Sequence, residues 1–340
     1  MSEPLAEIWN DPALREQPPV LMDVGASGDP PAVWAPIAAH SVFVGFDPDL
    51  RAVRDTSTGR FRREIMVNEA VVADADVSKT KLFLTHSPYC SSTLRPDARG
   101  LADFLFSDLF KVVRETEVAA TTLGEVIRRF QLPSVDWLKL DTQGIDLRLF
   151  QSLAPETSAR VLALDIEPGL IDAYEGEDLF VDAHKHLVKS GFWLSDVNVE
   201  GTARMKPATL AWLQVEHPDL DKQTIASLIE KSPGWTEARY LRTVESLRER
   251  RAARRDYVLL WLFAVTCRKL GFAFDVAAAF AEAFSGDPLA SLLKSEPLRQ
   301  LRSSSAGVPA QPAEPPAQPA ERPARRSFLG RLRAIWKSRK

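Results

Sequence analysis

The chain has 340 residues, of which 45% are apolar, enough for a large hydrophobic core. Its formal net charge is −3, but from Arg322 onward there are eight basic residues and no acidic one, which leaves −11 for the preceding residues. An acidic body argues against a nucleic-acid-binding protein. Cys90 and Cys267 show neither metal-ligand spacing nor a disulfide framework. We therefore expect an α/β domain with an appended basic segment, no nucleic-acid partner and no metal site.

The same features predict a cytoplasmic protein. The opening "MSEPLAEIWN" is polar and unlike a signal peptide, and the two cysteines fit thiols in a reducing compartment. The most apolar run, Tyr257 to Cys267, is shorter than the roughly 20 residues of a membrane span and is flanked by charge. We predict that this run forms a buried helix.

Short apolar runs bounded by turn residues alternate with helical patterns between residues 20 and 200. Extended segments are predicted at 20–24, 42–46, 64–72, 81–86, 111–120, 135–141, 161–167 and 192–199. Helices are predicted at 30–39, 123–131, 145–153 and 179–191. This alternation predicts a doubly wound, mostly parallel sheet with helices on both faces.

The pattern beyond about residue 220 is typical of helices throughout, over 221–232, 236–255, 256–270 and 273–284. The segment 303–324 is rich in proline and alanine, which favours a disordered, extended linker. The predicted organisation is an α/β domain at 1–218, a helical extension at 219–302, the linker at 303–324 and a basic amphipathic helix at 325–340.

The stretch "LMDVGASGD", residues 21–29, follows the first predicted strand and has the features of a cofactor-binding turn. A dinucleotide fingerprint has G-x-G-x-x-G, whereas here Asp23 stands in the place of the first glycine, before Gly25 and Gly28. A carboxylate there repels a pyrophosphate and attracts a cation, which favours S-adenosylmethionine. Asp47 ends the second strand at the spacing expected of an acceptor for ribose hydroxyls. The alternative is an ordinary strand-to-helix turn.

A second candidate site lies in "WLKLDTQGID". Alternation along the strand puts Lys139 and Asp141 on one face, with Asp141 at the carboxyl end, where open α/β sheets bind ligands. An ionisable pair in so apolar a strand is costly unless it is partnered, which favours a functional role. The alternative is that Asp141 caps the following helix and Lys139 extends from the sheet toward solvent.

With these segments the sequence resembles the FkbM family of S-adenosylmethionine-dependent methyltransferases over residues 20–200. The resemblance rests on "DVGASGD", "VGFDPD", "NEAVV", "TTLGEV", "VDWLKLDTQGID" and the run "LDIEPGLIDAYEGEDLFVDAHKHLVKSGFWLSDV". The most specific match is "KLDTQG"; Asp146 stands where the family more often has glutamate. The resemblance implies a Rossmann-like methyltransferase fold for the 1–218 domain and says nothing of the helical extension.

The resemblance also implies roles for individual residues. The methionine portion of the cofactor would be lined by Asp23, Gly25, Ser27 and Gly28. Asp47 would hold the ribose, and Asn68 to Ala70 would lie along the adenine. Catalysis would depend on Asp141 as base or orienter, supported by Lys139, with Glu167 as the second candidate. Ser91 and Ser92 could contact the substrate or serve as turn residues, and His86 is more simply explained as structural.

The acceptor that the resemblance implies is a sugar hydroxyl of a cell-surface polysaccharide or glycolipid, methylated on oxygen. The basic tail fits such a location, because Phe328, Leu329, Leu332, Ile335 and Trp336 form one helical stripe in "RRSFLGRLRAIWKSRK". We predict that residues 325–340 bind an anionic membrane at its inner face. The alternatives are a helix that docks on a partner protein and a merely solvated basic end; the sequence does not predict an oligomeric state.

Two other functions stay open at this level. One is a non-catalytic cofactor-fold module that scaffolds a membrane-associated complex through its extension and tail. The other is a nicotinamide-dependent oxidoreductase, against which Asp23 argues because of its charge.

Overall fold

The computed structural model describes residues 3–48 and 59–305. Residues 1–300 form one compact unit, and of a second unit at 301–340 only the end of the last helix is described. The strands are β1 Val20–Val24, β2 Val42–Phe46, β3 Arg63–Val67, β4 Ala70–Val71, β5 Lys79–Thr85, β6 Val112–Thr121, β7 Trp137–Leu140, β8 Ala163–Ile166, β9 Phe192–Ala203 and β10 Lys231–Arg242. The helices are α1 Glu3–Trp9, α2 Pro12–Glu16, α3 Ala98–Leu101, α4 Leu123–Arg129, α5 Asp146–Gln151, α6 Pro155–Arg160, α7 Phe180–Lys189, α8 Pro207–Glu216, α9 Lys222–Leu228, α10 Val244–Glu249, α11 Arg254–Thr266, α12 Leu270–Ala283 and α13 Leu289–Ser305.

Seven strands form one sheet in the order β3-β2-β1-β7-β8-β10-β9. β1 is parallel to β2 and β7, β2 to β3, and β7 to β8, whereas β10 is antiparallel to β8 and β9. The strand order reverses between β1 and β7, so a crevice opens at their carboxyl ends. The predicted doubly wound, mostly parallel, Rossmann-like sheet is confirmed.

Helices cover both faces of the sheet. On one face, α4, α5 and α7 pack apolar side chains against the strands, including Leu123, Phe150 and Leu187. On the other face, α11, α12 and the start of α13 form a second core. Residues Tyr257 to Val265 of α11 are all buried, which confirms the predicted buried helix. Among the described helices, none is both long and apolar enough to cross a bilayer.

The expectation of helices throughout after residue 220 is wrong at β10. Residues 231–242 pair with β8 on one side and with β9 on the other, and burial alternates along much of the strand. Trp235, Thr236 and Tyr240 suit a strand, and long-range pairing outweighs the helical propensity of the Glu237-Ala238-Arg239 stretch between them. The sheet therefore includes a strand from the segment predicted as a helical extension.

Three shorter predictions also need correction. Instead of a helix at 30–39 there are 3₁₀ turns at Ala32–Trp34 and Ala38–His40, because prolines at 30, 31 and 36 remove backbone donors and oppose a continuous helix. The extended segment at 64–72 is divided between β3 of the large sheet and β4 of a small sheet, ordered β4-β6-β5. Helix α13 continues to Ser305, into the start of the predicted linker. The rest of the linker and the basic tail at 325–340 lie outside the described residues.

Candidate active site

The carboxyl ends of β1, β7 and β8 bring the predicted ionisable residues together around Lys139. Register pairs Asp23 with Lys139 across β1 and β7. The ammonium Nζ of Lys139 lies 3.4 Å from Asp23 Oδ1, 3.2 Å from Asp141 Oδ2 and 3.9 Å from Glu167 Oε1. The Lys139 ammonium, which is half-buried, thus lies within ion-pair distance of three carboxyl groups. The predicted pair of Lys139 and Asp141 is in contact, and Asp23 and Glu167 join it.

The surroundings shift the pKa values of this cluster. Burial raises the pKa of Asp23 to about 6, although the Lys139 ammonium opposes the shift. Burial and the neighbouring Asp141 carboxylate raise the pKa of Glu167 well above its usual range. Burial by itself would lower the pKa of Lys139, but the surrounding carboxylates raise it, so the side chain stays a cation. The site therefore holds a permanent positive charge among carboxyl groups of different acidity.

Both carboxylate oxygens of Asp141 are fixed. The ammonium of Lys139 donates to Oδ2 at 3.2 Å, and the amide Nε2 of Gln143 donates to Oδ1 at 2.7 Å. Gln143 has a left-handed backbone with φ of 58°, which is uncommon for a residue other than glycine. Its Oε1 accepts a hydrogen bond of 2.9 Å from the Tyr174 hydroxyl. The orientation of Asp141 therefore depends on two residues of its own segment and, through Gln143, on Tyr174 from another segment.

The predicted glycine turn packs directly against the Asp141 backbone. Gly25 has φ of +94°, and a Cβ at this position would lie 2.1 Å from the Asp141 carbonyl oxygen. The amides of Gly25 and Ala26 donate to the Phe46 carbonyl, which joins the turn to the end of β2. Gly28 also has a positive φ, of +115°, but faces open space. Only a glycine at position 25 permits the close approach of β1 and β7 at the crevice.

Asp47 lies directly after β2, where the ribose acceptor is predicted. Its side chain is buried, and its amide donates to the Val67 carbonyl at the end of β3. Asp47 and Ala70 line the same cavity, together with Glu69, which the sequence reasoning included only as part of a segment. Asn68 is exposed and is not among the residues that line this cavity.

Asp146 ties the loop after β7 to the end of β8. Its carboxylate accepts from the Thr142 amide at 3.0 Å and from the Glu167 amide at 2.9 Å. The carboxylate is buried, which raises its pKa to about 6. Because Asp146 holds the backbone of Glu167, it positions that carboxyl group beside Lys139. The aspartate found here in place of glutamate is long enough to make both contacts.

Two cavities meet at this cluster. The aromatic cavity, about 440 Å³, is lined by Phe46, Asp47, Asp141 and the four rings of Phe106, Phe110, Tyr174 and Trp235, among others. The acidic cleft, about 490 Å³, is lined by Asp23, Asp29, Lys139, Asp165, Asp196 and Arg239 among others. Both cavities are lined by Gly25, Ser27, Asp141, Glu167 and Glu237. The predicted catalytic residues therefore stand where the two spaces join.

The two predicted substrate serines line the aromatic cavity in different ways. Ser92 is buried, and its hydroxyl donates 2.7 Å to the Gln143 carbonyl, so it fixes the loop that carries Gln143. The Ser91 hydroxyl accepts from the Thr85 amide at 3.2 Å. His86 lines neither cavity. The thiol of Cys90 lies at the cavity wall, and burial raises its pKa, which does not favour a reactive thiolate.

Sequence reasoning missed part of this site. Gln143 stands inside the quoted "KLDTQG", but nothing in the sequence pairs it with Tyr174, 31 residues later. Trp235 was not recognised as a site residue, because the residues that follow it have a helical pattern and its strand was not predicted. Glu177 also lines the aromatic cavity, and burial raises its pKa to about 7. Within residues 3–48 and 59–305, no three histidine, cysteine or carboxylate side chains are grouped so as to hold a metal ion.

Comparison with protein families agrees with this arrangement. Residues 41–193 match the model of the methyltransferase FkbM domain. Comparisons with curated proteins and with solved structures gave no match. The matched range contains Asp47, Lys139, Asp141, Gln143 and Glu167. The fold, the cluster at the carboxyl ends of the strands and this match together identify the chain as a methyltransferase with an FkbM domain at residues 41–193.

Proposed function

We propose that this methyltransferase uses S-adenosylmethionine to methylate a sugar hydroxyl of a cell-surface polysaccharide or glycolipid. The observation that carries the proposal is the pairing of the Gly25 turn with the buried Asp47 carboxylate on one cavity. Gly25 lets the first turn pack against the Asp141 backbone at the cavity, and a carboxylate at the next strand end accepts ribose hydroxyls.

The donor set fits a cationic cofactor better than a dinucleotide. Asp23 Oδ1 is buried and accepts no hydrogen bond within the described part of the chain, although Lys139 lies 3.4 Å away. The described lining of the aromatic cavity contains six acidic side chains, those of Asp47, Glu69, Asp141, Glu167, Glu177 and Glu237, of which Glu167 stays protonated near neutral pH. A pyrophosphate would be repelled here, whereas a sulfonium or an ammonium would be attracted.

Asp141 is the group that we assign to the proton of the acceptor hydroxyl. The cofactor supplies an electrophilic methyl group and a good leaving group, so the protein has mainly to position the hydroxyl and remove its proton. Lys139 and Gln143 hold the carboxylate still, and each oxygen keeps a second lone pair for the hydroxyl. Glu167 is the weaker candidate, because its raised pKa keeps it protonated near neutral pH.

Calorimetric titration tests the cofactor assignment. We expect S-adenosylmethionine to bind and NAD not to bind, with Asp47→Ala weakening binding at least about tenfold through loss of a charge-assisted hydrogen bond. Asp76→Ala removes an exposed acid that does not line either cavity and should leave the affinity unchanged. Binding of NAD without the sulfonium compound would show the assignment to be wrong.

The acceptor assignment is tested on cells. Mass spectrometry of surface glycans with and without this chain should differ by one methyl group per modified sugar. Cells that carry Asp141→Asn should resemble cells without the chain. An unchanged glycan profile would contradict the assignment, and intact cellular function with the Asp141 variant would favour a scaffold.

We also propose that the basic segment 325–340 attaches the enzyme to the anionic inner face of a membrane, where lipid-linked glycans are assembled. The pattern of apolar and basic residues in the sequence supports this, and each basic residue near the surface adds about 1 kcal/mol of attraction. The full chain should sediment with vesicles that contain phosphatidylglycerol, and a chain lacking 325–340 should not. Equal sedimentation of both would refute the attachment.

A further inference from the structure

Four aromatic rings form a continuous wall along one side of the aromatic cavity. The ring centroids of Trp235 and Phe106 are 6.1 Å apart with planes 10° from parallel. Phe106 contacts Phe110 edge to face at 5.0 Å, and Phe110 contacts Tyr174 at 5.6 Å. Trp235 and Phe106 are only half-buried, so part of each ring stays open to a ligand. Exposed aromatic surface inside a cavity is typical of a binding site.

This wall leads to the reacting end of the cavity. Tyr174, its last ring, donates a hydrogen bond to Gln143, and Gln143 donates to Asp141. A ring-shaped acceptor that lies against Trp235 and Phe106 would thus have its far edge toward Asp141. Asp47, which we assign to the cofactor, lines the same cavity as Asp141 and the wall.

The charge of the cavity limits what this acceptor can be. Its lining includes six acidic side chains, of which Glu167 stays protonated near neutral pH, and, among the residues at 3–48 and 59–305, no lysine, arginine or histidine. Glu177 and Glu237 are on the same lining as the aromatic wall. An acceptor carboxylate or phosphate would lose hydration, meet like charge and find no cation on the described lining of this cavity. Such a cost discriminates strongly against anionic ligands.

We infer that the wall of Trp235, Phe106, Phe110 and Tyr174 is an acceptor subsite for an uncharged pyranoside, and that it rejects uronic acids and sugar phosphates. The inference rests on the proposed function and adds the charge class of the acceptor. The aromatic rings would bury the C–H face of the sugar, while the carboxylates accept hydrogen bonds from its hydroxyls. The charge limit applies to the sugar in the subsite and not to a lipid or polymer attached to it.

Saturation-transfer NMR on the full chain tests the inference, with S-adenosylhomocysteine present. The probes are the methyl glycosides of glucose, galactose and mannose, with the corresponding uronides and 6-phosphates. At least one neutral glycoside should bind at least ten times more tightly than its anionic counterparts. Equal or tighter binding of the anions would overturn the inference. It would also be overturned if no neutral glycoside bound at 50 mM, because binding would then be weaker than about 2 kcal/mol.

Variants separate the aromatic and charge components. Trp235→Ala and the milder Phe106→Leu should each weaken the neutral glycoside at least fivefold, while Trp212→Ala, an exposed tryptophan of α8, should not. Glu237→Lys, at an exposed lining position, should raise uronide affinity at least fivefold. Unchanged affinities in variants whose melting temperatures match that of the parent would overturn the subsite.

The same samples distinguish failure of this inference from failure of the proposed function. Binding of S-adenosylhomocysteine is measured by calorimetry on each variant. If the parent chain did not bind S-adenosylhomocysteine, the methyl-donor assignment would be contradicted. Retained binding with an anionic preference would overturn the acceptor subsite only.

Discussion

The side-chain amide of Gln143 donates a hydrogen bond of 2.7 Å to Oδ1 of Asp141, two residues earlier in the chain. Gln143 makes this contact from a left-handed backbone, whose φ is 58°. A positive φ in a non-glycine residue costs about 1 kcal/mol and is retained where the surrounding structure fixes it. Strain at this position therefore accompanies the orientation of the proposed base.

Gln143→Leu should lower kcat about tenfold or more, because a misdirected carboxylate loses the near-attack arrangement. The affinity for S-adenosylmethionine should change less than twofold, since Gln143 is assigned no contact with the cofactor. Gln131→Gly is the matched control, because it relaxes another positive φ, of 52°, outside the site. If Gln143→Leu lost cofactor affinity and kept kcat, the positioning role would be wrong.

Gly25→Ala should weaken cofactor binding at least about tenfold and destabilise the fold by about 2 kcal/mol or more. The new Cβ would lie 2.1 Å from the Asp141 carbonyl oxygen, so β1 and β7 would have to separate. Gly28→Ala changes a residue that also has a positive φ but faces open space, and should cost only about 1 kcal/mol. Urea unfolding and calorimetry measure both effects. Equal losses in the two variants would mean that the close approach at Gly25 is unimportant.

Asp23→Asn should stabilise the protein at neutral pH and weaken cofactor binding. The pKa of folded Asp23 is raised to about 6, above the ordinary value of 3.8, so its ionisation opposes folding. The free energy of unfolding of the parent should fall as pH rises from 4 to 6, relative to the variant. The variant should therefore gain about 2 kcal/mol at pH 7.5 and little at pH 4. A variant less stable than the parent at pH 7.5 would contradict this.

Arg255→Met should cost about 3 to 5 kcal/mol of stability, the range for breaking a buried ion pair. The Arg255 guanidinium, on α11, makes two hydrogen bonds of 2.9 Å to Asp136, and both side chains are at most 5% exposed. Arg248→Met removes an exposed pair with Glu282 and should cost less than about 1 kcal/mol. Chemical denaturation measures both variants. A small effect of Arg255→Met would mean that the buried pair with Asp136 contributes little to the stability of the fold.

The parts of the site that follow a single strand were predictable from sequence. Asp23, Asp47 and Asp141 each stand at the end of a short apolar run, and parallel strands place such residues at one edge. The helix start at Thr122 was also predictable from local sequence, because Thr122 and Glu125 have the spacing of a capping box. In the structure the Thr122 hydroxyl accepts from the Glu125 amide at 3.1 Å. The prediction of a helix at 30–39 was wrong because the prolines at 30, 31 and 36 outweigh the apolar periodicity of this segment.

By itself the sequence determined the alternation of strands and helices, the acidic residues at the strand ends and the glycines of the first turn, because these depend on the period of two, on capping and on backbone freedom within a few residues. Only the tertiary structure decided that β10 lies between β8 and β9, and that Lys139 serves Asp23, Asp141 and Glu167 together. The aromatic wall likewise joins Phe106, Tyr174 and Trp235 from three separate segments. Such contacts arise from packing between distant parts of the chain, which local propensity and spacing do not encode.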